Sequence, residues 1–107
     1  MKQPSLKISQ LTLDADSLSL AIEAEVDFEH FSDFAEPFAL ALDCHVRERQ
    51  WGADRHQWLL DFEGSLIGLH YEFYGDICWL SCERAADFEV LVYLAGLLQP
   101  YLTQSEG

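Results

Sequence analysis

Positive charge is what this sequence has least of. Six Lys and Arg stand against nineteen Asp and Glu, for a formal net charge of −13 over 107 residues. Between Lys7 and Arg47 there is no basic residue except histidine, while nine acids fall in the same stretch: Asp14, Asp16, Glu23, Glu25, Asp27, Glu29, Asp33, Glu36 and Asp43. Affinity for nucleic acid and for anionic lipid comes largely from Lys and Arg that neutralise phosphates, so neither nucleic acid nor membrane is expected as a direct partner. Three readings of the acidic stretch remain. It is a solvated surface, a field that steers a basic protein partner, or an imitation of nucleic acid that fills a basic groove on another protein.

Other scarcities narrow the chemistry. The six glycines are scattered, with neither Gly-x-Gly-x-x-Gly nor the P-loop spacing, so no cofactor is expected. Cys44, Cys78 and Cys82 are an odd number without a framework, which suits a reducing compartment. On a strand, Cys78 and Cys82 would stand about 13 Å apart, too far for both to bind one zinc at about 2.3 Å. No metal is expected. No run approaches 18 apolar residues, and Met1 to Ser9 lacks the apolar core of a secretion leader. The expected location is the cytoplasm.

What remains is globular. Half of the residues are hydrophobic, with seven Phe, four Tyr and three Trp, and the length suits a single domain over 1–107 with a frayed tail at 103–107. Lys7 to Leu13 reads as a strand with an irregularity between Ile8 and Leu11. Asp14 to Ser17 is a polar turn. From Leu18 the alternation is clean: Leu20, Ile22, Ala24 and Val26 face one way, and Glu23, Glu25 and Asp27 the other. The period then changes. Phe31, Phe34, Ala35, Phe38, Leu42 and Val46 form a helical stripe, predicting a helix over about 33–48 with Ser32 as N-cap. Pro37 is awkward there, since past the first turn it removes a hydrogen bond. Trp51 to Arg55 reads as a loop.

Three strands follow at 57–63, 66–74 and 77–83, separated by Gly-containing turns, the pattern of an antiparallel meander. Phe88, Leu91, Val92, Ala95, Leu98 and Tyr101 mark a last helix, capped by Asp87 and stopped near Pro100. The order β-β-α-β-β-β-α predicts an α+β two-layer sandwich: a mostly antiparallel five-stranded sheet with both helices on one face. One parallel pair across the first helix remains open.

If Ile67, Leu69, Tyr71 and Phe73 face the core, then Leu66, Gly68, His70, Glu72 and Tyr74 face away. The same reading puts Leu59, Asp61, Cys78, Leu80 and Cys82 on that outer side. Such a surface is greasier than a solvated one, and a homodimer contact, a covering loop or a ligand site would each account for it. His70 with Cys78 or Cys82 is a candidate nucleophilic pair, with Glu72 or Asp61 to orient the imidazole. Surrounding acids would raise, not lower, a thiol pKa. Binding candidates are Trp51, Asp54, Arg55, His56 and Trp58 in and beside the loop, with His70 and Tyr74 on the outer face.

The stretch Arg49-Gln50-Trp51-Gly52-Ala53-Asp54-Arg55-His56-Gln57-Trp58-Leu59-Leu60-Asp61-Phe62-Glu63-Gly64 resembles the central signature of a family of short, uncharacterised gammaproteobacterial proteins. Leu69-His70-Tyr71-Glu72 and the helix from Leu91 to Leu98 are similar as well. The resemblance implies a bacterial cytoplasmic single-domain protein and brings no activity or catalytic residue. The leading expectation is a non-enzymatic interaction or accessory protein, with a homodimer or a basic protein as partner. The alternatives are a small cysteine/histidine or acid–base enzyme, and a small-molecule binding module with a cavity lined by Trp58, Tyr71 and Trp79.

Overall fold

A computed structural model describes residues 6–103. The described residues form one six-stranded sheet with two α-helices against a single face. The strands are β1 (Ile8–Asp14), β2 (Ser19–Ala24), β3 (His45–Trp51), β4 (Arg55–Phe62), β5 (Ser65–Glu72) and β6 (Ile77–Ser81). The helices are α1 (Phe31–Ala41) and α2 (Phe88–Leu98). The sheet order is β1-β2-β6-β5-β4-β3, and all five ladders are antiparallel. The two-layer α+β architecture is therefore the expected one. No parallel strand pair spans α1: β2 pairs with β6, and β3 lies at the far edge.

The sixth strand is the main departure. From the sequence, His45 to Glu48 is expected as the end of the first helix and Trp51 to Arg55 as a loop, but α1 stops at Ala41, seven residues short of Glu48, and His45–Trp51 is a strand. The cause is Asp43, which takes the left-handed conformation at φ 58°. Cys44 N–H then reaches Ala39 O at 3.0 Å and Asp43 N–H reaches Leu40 O at 3.0 Å, closing a Schellman motif. Aspartate fills a position where glycine is usual, since its short polar side chain tolerates that conformation. The start differs too. Asp27, rather than Ser32, caps, accepting Glu29 N–H at 3.1 Å and opening a single 3-10 turn that runs into α1. Pro37 sits inside the helix.

The turns fix the register. Asp14 Oδ1 accepts the Asp16 amide at 3.0 Å in the β1–β2 turn. Glu63 (φ 52°) and Gly64 (φ 94°) join β4 to β5 in the left-handed pair that a two-residue hairpin needs. A shift in register between Ile8 and Gln10 confirms the irregularity expected in β1, and a second lies between Val46 and Glu48 in β3. The core fills the space under the helices: Leu20, Ile22, Trp58, Leu60, Ile67, Leu69, Tyr71, Cys78 and Leu80 from the sheet, Phe31, Phe34, Phe38, Leu91, Leu94 and Leu98 from the helices. Val92, expected in the buried stripe of α2, is exposed, and Leu94 takes its place.

The face assignment on β6 is the reverse of the expected one. Cys78, Leu80 and Cys82 are buried beneath the helices, and Ile77, Trp79 and Ser81 point to the open side. Phe73 is likewise outside the core; β5 ends at Glu72 and Phe73 is 51 % exposed in the following turn. Thr103 is held by its amide on Ile8 O at 2.8 Å. The rest of the proposed tail, 104–107, lies outside the described residues.

Candidate functional site

At one end of the sheet, three connections meet: the segment from β2 into α1, the β3–β4 loop and the β5–β6 turn. Phe73 N–H donates to Asp54 O at 2.8 Å, which ties the second to the third. His56, on the covered side of β4, stacks on Phe31 with centroids 4.5 Å apart and donates from Nε2 to Phe28 O at 2.8 Å. That bond anchors the first connection. Phe28 is thereby fixed against His56 (4.6 Å) and edge-on to Phe73 (5.5 Å), and Phe73 meets Tyr74 at 5.4 Å.

The result is an open concavity of about 900 Å³. Phe28, Tyr71, Phe73 and Tyr74 give it aromatic walls, and Glu25, Asp27, Glu29 and Asp76 ring it with carboxylates. Tyr71 donates its hydroxyl to Asp76 Oδ1 at 2.7 Å. Burial, reinforced by that carboxylate, pushes the phenol up to about 12, so it stays a donor. The His30 imidazole, 3.0 Å from Asp27, holds the Asp27 carboxyl below its ordinary range, and the same contact raises His30. An electronegative rim over ring faces is the arrangement that receives a cation, by ion pairing and cation–π attraction together.

The sequence-predicted residues divide among several places. His56 and the Asp54 backbone build the groove, and Tyr74, 81 % exposed, stands on its rim. Arg55 makes only a loose pair with Asp54 at 3.6 Å. Trp58 is core: Phe31 packs edge-on to it at 5.5 Å, and the Arg49 guanidinium covers it at 4.7 Å while bonding Glu36 at 2.8 and 3.1 Å. Trp51, on the edge strand, is 73 % exposed.

His70 lies on the open side, stacked on Trp79 at 4.9 Å with Nε2 2.8 Å from Ser81 Oγ. Gly68 makes room for it, since a Cβ there would meet Nε2 at 2.6 Å. Burial of the ring lowers its pKa.

The sheet therefore separates His70 and Glu72 from Cys78 and Cys82, which sit on the opposite face. Burial raises all three thiols, Cys44 and Cys78 to about 12, so they remain protonated at neutral pH. Trp79 is likewise across the sheet from Trp58 and Tyr71, so those three line no common cavity. Among the described residues no group of three His, Cys, Asp or Glu is placed to hold a metal ion, and no helix is long and apolar enough to cross a membrane. Reading the residues alone missed Phe28, Asp27 and Asp76. Their signal was the alternation of acids with Val26 and Phe28 from Glu25 to Glu29, and what it lacked was the partner segment, Phe73 to Asp76, 45 residues on.

Comparison with known proteins adds one match. A family model described as "Protein of unknown function (DUF3630)" matches residues 8–99, from the first strand to the end of α2. No curated protein and no solved structure matches.

Proposed function

The chain belongs to that family of proteins of unknown function, and from this premise we propose that it is a non-enzymatic interaction or accessory protein that takes a cationic segment of a protein partner into the Phe28–Tyr74 groove. The observation that carries the reading is the meeting of aromatic faces and four carboxylates around one concavity of about 900 Å³. That space suits an arginine or lysine side chain with its flanking backbone. The guanidinium or ammonium would lie on the rings of Phe73 and Tyr74, with Glu25, Glu29 and Asp76 supplying opposite charge. The net charge of −13 would raise the encounter rate with a basic partner well beyond the contact itself. On this reading the protein works in the bacterial cytoplasm, as the resemblance noted from its sequence implies.

The test is fluorescence anisotropy with a labelled Arg- and Lys-rich peptide, its Glu-substituted counterpart, and free arginine as competitor. The basic peptide is expected to bind, with affinity falling steeply as salt rises. Tyr74→Ala should weaken it about tenfold, as expected for an aromatic anchor, while Tyr93→Ala on α2 should leave it unchanged. Equal binding of the acidic peptide, or indifference to Tyr74→Ala, would remove the groove from consideration.

A further inference from the structure

On the side of the sheet away from the helices, β5 and β6 bring a hydroxyl and an imidazole together in another concavity. Ser81 Oγ lies 2.8 Å from His70 Nε2. Both side chains are half-buried in a hollow of about 370 Å³ that Leu59, Leu66 and Gln57 also line. The ladder explains the meeting. Gly68 pairs with Ser81 and His70 with Trp79, so the imidazole and the hydroxyl sit on a diagonal between neighbouring strands.

Three further features surround the pair. The ring is held, since it stacks on Trp79 with centroids 4.9 Å apart and planes within 15° of parallel. It is neutral at pH 7, because burial lowers its pKa, so a nitrogen lone pair is free to take a proton. And there is room beside both atoms. A Cβ on Gly68 would stand 2.6 Å from His70 Nε2 and 3.2 Å from Ser81 Oγ, so the bare glycine leaves a gap that reaches both groups at once. Glycine inside a strand weakens it, and close approach of another group is a common reason for its presence. A nucleophile bonded to its base, with space for a reacting centre about 3 Å away, is the geometry that acyl transfer needs.

We propose that Ser81 is a nucleophilic acyl-acceptor site, with His70 as its general base, and that it takes the acyl group of a neutral carboxylic ester. Ser81 Oγ attacks the carbonyl carbon. The new O–C bond pushes the carbonyl π pair onto oxygen while the Oγ proton passes to His70 Nε2. Gln57, paired with His70 in the β4–β5 ladder, lines the hollow and carries carboxamide N–H donors suited to that oxygen. Collapse of the tetrahedral species re-forms the carbonyl, breaks the bond to the alkoxide and hands it the proton from Nε2. The products are acyl-Ser81, a free alcohol and neutral His70.

The lining selects the substrate class. Leu59 and Leu66 give a short acyl chain an apolar wall. Glu83, Arg84 and Asp87 stand at the rim, and Arg84 pairs with Asp87 at 3.3 Å, so Glu83 leaves that rim negative. Together with the net charge of −13, this turns away acyl phosphates and other anionic donors. One covalent mark per chain, without turnover, is compatible with the interaction role proposed above. The inference does not rest on the groove, with which this hollow shares no residue.

Labelling of the full chain with an alkyl fluorophosphonate tests it, because phosphorus bonded to Oγ imitates the tetrahedral species and fluoride leaves in place of the alcohol. Intact mass and peptide mapping are expected to show one adduct, on Ser81. Ser19 is a control within the same chain: it pairs with Ser81 across β2–β6, but its hydroxyl meets Ser17 Oγ at 2.6 Å rather than an imidazole. 4-Nitrophenyl acetate, a neutral ester, should acetylate Ser81 as well, and acetyl phosphate should not. His70→Gln, checked as folded by circular dichroism, should slow both labels on Ser81 by about a hundredfold, the lower end of what a general base contributes. A wild type unlabelled at Ser81, or labelled there no faster than at Ser19, would overturn the proposal. So would a folded His70→Gln variant that reacts at the wild-type rate. Acetylation by acetyl phosphate as fast as by the ester would overturn the substrate class.

Discussion

Each side of the sheet has one histidine on a ring, and the two invite comparison. His56, under the helices, stacks on Phe31 and donates to a backbone carbonyl. His70, on the open side, stacks on Trp79 and shares a hydrogen bond with Ser81. The construction is the same: an aromatic plate, a short polar bond and little freedom. Under the helices that construction locks Phe28 in place and shapes a groove. On the open side no other element of the described chain covers it. A surface assembled like an interior, yet not covered, is the lesson of the pair.

The contrast can be broken most directly with leucine. Leu69 is fully buried on β5, and Leu66 is half exposed on the opposite face of the same strand. Leu69→Ala should cost about 2–5 kcal/mol in urea unfolding, whereas Leu66→Ala should stay within about 0.5 kcal/mol. Equal losses would mean that the two faces are wrongly assigned. Next comes the hydroxyl that links the core to the groove. Tyr71→Phe should lose about 1.5–3 kcal/mol, the worth of a hydrogen bond to a charged acceptor, with the midpoint shifted and the slope unchanged.

The smallest effect concerns pH. The folded pKa of His70 lies below its unfolded value of 6.5, so the unfolded chain binds the proton more tightly. This contribution is intact at pH values above 6.5 and fades as pH falls through the folded pKa. His70→Gln should therefore flatten the fall in stability between pH 7 and pH 5, read from unfolding midpoints. A steeper fall in the variant would reverse the sign of the argument.

Much of the fold was legible because the spacing of apolar residues changes sharply. The period of two from Leu18 to Val26 and the three short runs after Gln57 specified strands, and the stripes of Phe31 to Leu42 and Phe88 to Leu98 specified helices. β3 escaped because its stop signal was an aspartate. Asp43 does not announce a left-handed residue as glycine would, and Val46 continued the helical stripe by chance. The faces of β6 escaped for another reason. Ile77 and Trp79 on one side and Cys78, Leu80 and Cys82 on the other are both apolar, so alternation alone cannot choose between them. The four-residue turn from Phe73 to Asp76 makes the choice by pairing Glu72 with Ile77. Of the candidate site, Tyr74, His56 and Asp54 were visible as residue types. Their convergence was not, because it depends on three connections distant in the chain meeting at one end of the sheet.

The two offset pairings in β1 and β3 fall on the outermost strands. An edge with a kinked run of amides makes a poor template, and on β3 the flanking Arg47, Glu48 and Arg49 would have to shed water before another backbone could dock alongside. The protein is thus guarded against growing sideways into a ribbon or fibril. Whatever it meets must approach across a broad side or at the tip of the sheet.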